Sequence, residues 1–198
     1  MRYKKALLIV DMQNDFCPGG ALGVPAGDKI IPVINRYIRL FSKKGLPVFI
    51  SRDWHPRKTR HFKQYGGIWP VHCIRNTRGA GFHPKLRLPK RPIFLYKGMD
   101  PEKDSYSVFQ AEDGDGIGFL SLLKVLGVKE IYIAGLATDY CVKFTSLDAL
   151  RRGLKVKVLL DSIKGVNIRP QDASRAISLM LKKGAKKADY GRIVRALR

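Results

Sequence analysis

Residues 131–141, IYIAGLATDYC, begin with a short apolar run rich in β-branched and aromatic residues that ends at Gly135-Leu136-Ala137. Thr138-Asp139-Tyr140-Cys141 follows at once, and then a helical pattern, VKFTSLDALRRG. The run reads as a buried strand turning directly into a helix, with a cysteine at the turn. A cysteine there is either a small buried hydrophobe or a nucleophile in the field of the helix N-terminus. Free backbone N–H groups and the helix dipole at such a place lower a thiol's pKa and can hold a negative oxygen. The rest of the chain has to decide between the two.

Three further apolar runs end in polar residues of the same kind. ALLIV at 6–10 runs into Asp11, PVFIS at 47–51 into Arg52-Asp53-Trp54-His55, and PIFLY at 92–96 into Lys97-Gly98. Near-continuous apolar runs of this length fit strands buried on both faces of a parallel sheet. In open α/β sheets, ligands bind beyond the carboxyl ends of the strands. If these strands are neighbours, Asp11, Asp53, Lys97 and Cys141 gather along one edge. A single Asp after a strand says little, because Asp also favours turns. Four chemically apt residues at four strand ends favour the nucleophile.

Between the runs the pattern is helical. Ile31, Ile34, Ile38 and Phe41 recur at helical spacing over 29–44, with Asp28 as cap, Pro32 in the first turn and Gly45 at the end. Phe119, Leu120, Leu123 and Leu126 predict a helix over 117–126, and a helix over 141–152 stops at Gly153. A last helix opens at Pro170 and ends before Gly184. Further strands are expected at 130–135 and 155–160, with a short edge strand at 186–190. Alternating strands and helices predict one α/β domain over 1–198, a doubly wound, mostly parallel six-stranded sheet with helices on both faces. Residues 52–91, crowded with Gly, Pro, His and Arg, lack a sustained period; so long an irregular segment in a compact domain is usually functional.

Bulk properties narrow the classes. The 198 residues are 45% hydrophobic, enough for one sizeable core. No apolar run approaches membrane-spanning length, and MRYKKALLIVD reads as strand rather than signal peptide. Cys17, Cys73 and Cys141 are odd in number and widely spaced, which points to a reducing, cytoplasmic setting. The net charge of +22 is concentrated in residues 1–99, with 20 basic and 4 acidic side chains against 18 and 12 in the remainder. Such a field suggests polyanion contact. The basic residues are nevertheless scattered, without an aromatic-interleaved strand or an arginine-rich tail, so no specific nucleic-acid function is expected.

Asp11, Lys97 and Cys141 together can perform nucleophilic acyl chemistry without histidine. The carboxylate takes the thiol proton and returns it to a leaving amine, while the ammonium balances charge. Asp53 and His55, two residues apart, can point the same way from extended backbone, and His61 and His72 follow in the same long loop. Mixed Asp/His ligation suits Zn²⁺, Fe²⁺ or Mn²⁺. His83, before Pro84, reads as structural.

These residues carry a resemblance. Asp11-Met12-Gln13-Asn14-Asp15-Phe16, Arg52-Asp53-Trp54-His55-Pro56, Trp69-Pro70-Val71-His72-Cys73, Tyr96-Lys97-Gly98 and Gly135-Leu136-Ala137-Thr138-Asp139-Tyr140-Cys141-Val142 stand in the order seen in nicotinamidases, which belong to the isochorismatase-like cysteine hydrolases. The resemblance spans nearly the whole chain. It implies Cys141 as nucleophile, Asp11 as general base and acid, and Lys97 as the third member of the triad. It implies Asp53, His55 and His72 as ligands of one divalent metal, zinc before iron or manganese, with His61 matching a fourth ligand found in only some relatives. Phe16, Trp69 and Tyr106 resemble the aromatic walls of a nicotinamide pocket; the alternative is ordinary core aromatics. The Leu136–Ala137 bond resembles a non-proline cis peptide that would aim the N–H groups of Ala137 and Cys141 at an oxyanion.

The implied activity is hydrolysis of nicotinamide to nicotinate and ammonia through a cysteine thioester, in NAD salvage. The implied partner is that small molecule, with no membrane association, and a homo-oligomer stays open. Within the fold the rivals are an amidohydrolase of ureido or carbamoyl substrates and an isochorismatase-like ether hydrolase. Those relatives do not generally carry the Asp53/His55/His72 set, and ether hydrolysis would not need Cys141. The rival from another class is a basic nucleic-acid-binding protein that keeps the hydrolase fold as scaffold.

Overall fold

The computed structural model describes residues 3–197. Its centre is a six-stranded sheet formed by β1 (Lys5–Val10), β2 (Val48–Asp53), β3 (Ile93–Lys97), β4 (Glu130–Leu136), β5 (Lys155–Lys164) and β6 (Lys186–Ala188). The spatial order is β3-β2-β1-β4-β5-β6, and every paired neighbour runs parallel. The order reverses between β1 and β4, which creates the crevice where such sheets bind ligands.

Alternating side chains of each strand feed two cores. Leu7 and Ile9 of β1 join Ile34, Tyr37, Ile38 and Phe41 of α1 (Ile31–Lys43) on one face, together with Ile193 of α5 (Tyr190–Ala196). Ala6, Leu8 and Val10 point the other way. There they meet Phe119 and Leu123 of α2 (Phe119–Leu126), Ala149 of α3 (Lys143–Arg151) and Met180 of α4 (Asp172–Lys182). The result is the three-layer arrangement that the strand–helix alternation predicts.

The elements differ from the expected ones mainly at their ends. The first helix begins at Ile31, after a separate 3₁₀ turn at Gly27–Ile30, so Asp28 lies in that turn and does not cap the helix. Cys141 does not open α3; it sits in a π-turn, Thr138–Val142, that leads into it. β5 runs on past a register shift opposite Ile133/Gly135 to Lys164. The final edge strand stops at Ala188 and gives way to α5, a helix the periodicity does not reveal, so the helix after Pro170 is not the last. Asp189 caps α5 by accepting the Arg192 N–H.

Two backbone features bring the strand ends together. Gly135 has φ +113°, and a Cβ there would overlap the Val10 backbone, so only glycine lets β4 lie this close to the end of β1. The next bond but one, Leu136–Ala137, is a cis peptide, as the sequence resemblance implies. Among the described residues no helix is long and apolar enough to cross a membrane.

Candidate active site

Four adjacent strands, β3, β2, β1 and β4, each lead at the carboxyl end into one ionisable side chain. Asp11 follows β1 at φ +50°, so the chain turns sharply aside there, and Ser51 Oγ of β2 donates to its Oδ1 at 2.7 Å. Asp53 ends β2 and Lys97 ends β3, paired directly in register. Lys97 Nζ lies 3.0 Å from Asp11 Oδ2, is bonded to Asp53 Oδ1, and lies 3.5 Å from Cys141 Sγ. All four are buried.

This packing sets the charges. Burial pulls the Lys97 pKa down, but the Asp11 and Asp53 carboxylates override it and hold the ammonium well above its ordinary range. Burial likewise works against ionised Asp53, and Lys97 together with His55 and His72 outweighs it, so this carboxyl stays below the usual range. At Asp11 burial wins over Lys97 and Ser51, and the carboxyl is pushed up. The Cys141 thiol is also pushed well above its ordinary range by burial, with Lys97 offsetting only part. A helix-end cysteine is expected to be acidified; in its resting state this one is a thiol.

A second cluster adjoins the first through Asp53. His55, His61 and His72 place one ring nitrogen each within 4.8 Å of one another. Asp53 Oδ2 faces two of them, 3.6 Å from His55 Nε2 and 3.9 Å from His72 Nε2. Each Nδ1 is engaged on the outer side: His55 with the Gly98 carbonyl at 3.0 Å, His72 with the Pro70 carbonyl at 2.7 Å, and His61 with Asp104 Oδ1 at 2.6 Å. Those partners fix the tautomers and leave the Nε2 lone pairs for a common centre. Gly98 is required here, since a Cβ at this position would overlap the His55 ring. Burial lowers the His72 pKa to about 4 and lowers that of His61, so both imidazoles are neutral near pH 7. His55 Nε2 is buried without a hydrogen-bond partner. Neutral imidazoles, a carboxylate and an orphaned inward nitrogen suit a divalent metal ion.

Asp11 and Cys141 of the first cluster and Asp53, His61 and His72 of the second line one cavity. Phe16, Trp69 and Tyr106 line it, with Tyr140, Leu136 and Val166. Trp69 Nε1 donates to Tyr106 Oη at 2.9 Å, and Phe16 lies 5.4 Å from the His72 ring. An apolar, aromatic-walled cavity with a few ionisable groups at its base suits a small planar substrate.

A family model described as isochorismatase domain matches residues 5–187. The chain belongs to the isochorismatase family. Within it, the nicotinamidase of Escherichia coli (strain K12) is 42% identical to this chain, covering 91% of this chain and 92% of that one. The pyrazinamidase of Pyrococcus horikoshii, solved in complex with zinc, superimposes with a TM-score of 0.88 at 44% identity, covering 95% of this chain and all of that one (100%). The yeast nicotinamidase bound to the inhibitor nicotinaldehyde superimposes with a TM-score of 0.80 at 26% identity, covering 93% and 99%.

The structure brings together all the site residues expected from sequence, His61 included: its ring stacks on His55 at 4.7 Å. His83 stands apart and accepts the Lys85 N–H, a structural contact. Sequence reading misses the residues that hold the isochorismatase-family site in place. Ser51 orients Asp11, Asp104 orients His61, and Asp15 Oδ2 accepts the Cys73 N–H beside His72. Tyr140 lines the cavity beside Cys141, although nothing in its spacing reveals this. The short spacing of Asp15 and Asp11 in one motif is the only available signal for the acid.

Proposed function

We propose that this chain hydrolyses nicotinamide to nicotinate and ammonia, using Cys141 as nucleophile, Asp11 as proton carrier and Lys97 as the cation between them. The observation that carries the reading is the contact of Lys97 Nζ with Asp11 at 3.0 Å and Cys141 at 3.5 Å, beside a cluster of three histidines of which His61 and His72 line the cavity with Cys141. The similarity to nicotinamidases over nine-tenths of the chain supports the substrate. Nicotinate is a precursor of NAD, so the reaction belongs to NAD salvage.

Asp53, His55, His61 and His72 would hold one divalent ion, and the His-rich donor set favours zinc. When bound, that ion supplies a Lewis acid that anchors the pyridine nitrogen and so orients the ring. Phe16, Trp69 and Tyr106 wall the ring, which sets the carboxamide carbon beside Cys141 Sγ. As the sulfur attacks, its proton passes to Asp11, whose raised pKa fits it to receive one. The N–H groups of Ala137 and Cys141 hold the oxyanion. Asp11 then protonates the departing nitrogen, and ammonia leaves a thioester on Cys141. Asp11, again a carboxylate, removes a proton from water, which attacks the thioester carbon and releases nicotinate and the thiol.

The test is ammonia release from nicotinamide by the purified zinc-loaded protein, with mass spectrometry of the Cys141 peptide after rapid quench. Folded protein that released no ammonia would refute the reading. Turnover without any adduct on Cys141 under acylation-limited and deacylation-limited conditions would refute the covalent route.

A further inference from the structure

Gln13 lies on the chain just after β1 has turned aside at Asp11, and it is fully buried. The β1–β2 ladder ends where the Asp11 N–H meets the Ser51 carbonyl. Beyond that point β1 offers no backbone to Asp53, at the end of β2. The Gln13 carboxamide takes its place. Its Oε1 accepts the Asp53 N–H at 2.8 Å, and its Nε2 donates to the Asp53 carbonyl at 2.8 Å. The second Nε2 hydrogen goes to the Ala80 carbonyl at 3.0 Å. The side-chain amide thus acts as one more peptide unit of the missing strand. Only one orientation of the amide satisfies all three partners, since a donor must face each carbonyl and the acceptor the N–H.

We infer that Gln13 is a positioning residue for the metal centre, acting through Asp53. Fixing both backbone groups of Asp53 fixes where its Cα–Cβ bond points. That directs Oδ1 to Lys97 and Oδ2 to His55 and His72. The third bond ties Asp53 to the 79–83 segment. That segment also accepts from Asn14 and Asp15, while the Asp15 carboxylate holds the Cys73 N–H next to His72. One short motif after β1 therefore sets the spacing between Asp53 and His72, which come from different parts of the chain. Partners of metal ligands of this kind are worth about 10–100-fold in metal affinity.

The inference rests on the reading of Asp53 as a metal ligand, and the test separates the two. Zn²⁺ affinity of the full chain is measured by competition with a chromogenic chelator for wild type, Gln13→Met, Gln13→Glu, Asp53→Asn and the double variant Gln13→Met/Asp53→Asn. Thermal melts establish that each is folded. Gln13→Met keeps the side-chain length and loses every hydrogen bond; it should bind Zn²⁺ about 10–100-fold more weakly. Gln13→Glu keeps the acceptor and should fall between it and wild type. On the Asp53→Asn background the Gln13→Met change should cost no further affinity, because both act at one ligand. Nicotinamide KM should rise more than kcat falls in the single variants.

Wild-type Zn²⁺ affinity in folded Gln13→Met overturns the inference, as does wild-type affinity in Gln13→Glu if the methionine variant does not fold. An undiminished further loss on the Asp53→Asn background also overturns it. So does failure of both glutamine variants to fold, which would make Gln13 purely architectural. Wild-type affinity in Asp53→Asn instead refutes the reading of Asp53 as ligand.

Discussion

Lys97 Nζ lies 3.5 Å from Cys141 Sγ, although two strands separate the edge strand that carries the lysine from the strand that leads to the cysteine. The lysine spans that gap by passing between Asp53 and Asp11, and its charge serves both neighbours. In the proposed mechanism it is at once the counter-ion of the acyl-transfer pair and of the carboxylate that faces the histidines.

Lys97→Met should therefore fail in two ways. Removing one partner from a buried ion pair leaves an uncompensated charge and costs about 3–5 kcal/mol, or on the order of 10 °C in Tm for a chain of this size. The surviving folded protein should also react with iodoacetamide at Cys141 only at higher pH than wild type, because Lys97 is what pulls that thiol's pKa down. An unchanged alkylation profile together with an unchanged Tm would reduce Lys97 to a bystander.

Cys141→Ala should lower kcat by roughly 10⁴-fold or more and leave Zn²⁺ content intact, since Cys141 is not among the residues facing the histidine cluster. Cys17→Ala and Cys73→Ala should keep activity within a few-fold. Neither lines the cavity, whereas Cys141 does. Steady-state ammonia assays on the three proteins check this; comparable losses in all three would point to packing instead of nucleophilic chemistry.

The pH profile follows from Asp11 and Cys141. The reactive pair carries one proton, either on sulfur or on the carboxylate. Below the pKa of Asp11 both groups are protonated, and attack stops for want of a base. Burial lifts that pKa above the ordinary 3.8, so the acid limb of kcat/KM should lie above 3.8. At the other end both groups are ionised only above the raised thiol pKa, so the alkaline limb should lie above the ordinary 9.0. Rates of ammonia release from pH 3 to 11 test both limbs, and an acid limb at an ordinary aspartate value would remove Asp11 from the role of base.

His72→Ala should shed Zn²⁺ and raise the KM for nicotinamide, with a smaller effect on kcat. Benzamide, which lacks the ring nitrogen, should be a poorer substrate than nicotinamide by tenfold or more, about 1.4 kcal/mol of lost orientation. Chelator treatment should shrink that preference. Equal kcat/KM for the two amides in the zinc-loaded protein would sink the anchoring role assigned to the cluster.

Asp11 and Lys97 are legible in the sequence because each directly follows an apolar run, where a charged residue has little structural reason to be, and Cys141 because it stands at the turn from such a run into a helix. The histidines were legible by crowding within one irregular segment. Gln13, Ser51 and Asp104 were not, because their work is done by side-chain geometry that no spacing encodes. A buried glutamine reads like any turn residue until its three partners are known. The state of the Cys141 thiol is not legible for a related reason. The helix-end position was correct to within a turn, but the sequence does not reveal how fully the sulfur is buried. Helix α5 escaped because seven residues, YGRIVRA, hold too few apolar positions to display a period.

The site draws one side chain from the end of each of four parallel strands, and the first and last of these, Asp11 and Cys141, lie most of the chain apart. Pairing of that kind closes long loops and forms slowly compared with local structure. Regained activity after denaturation should therefore trail regained helicity. Enzyme turnover thus reports on completion of the sheet's central β1–β4 junction, and a truncated chain ending before β4 has no means of assembling even a weak version of the catalyst.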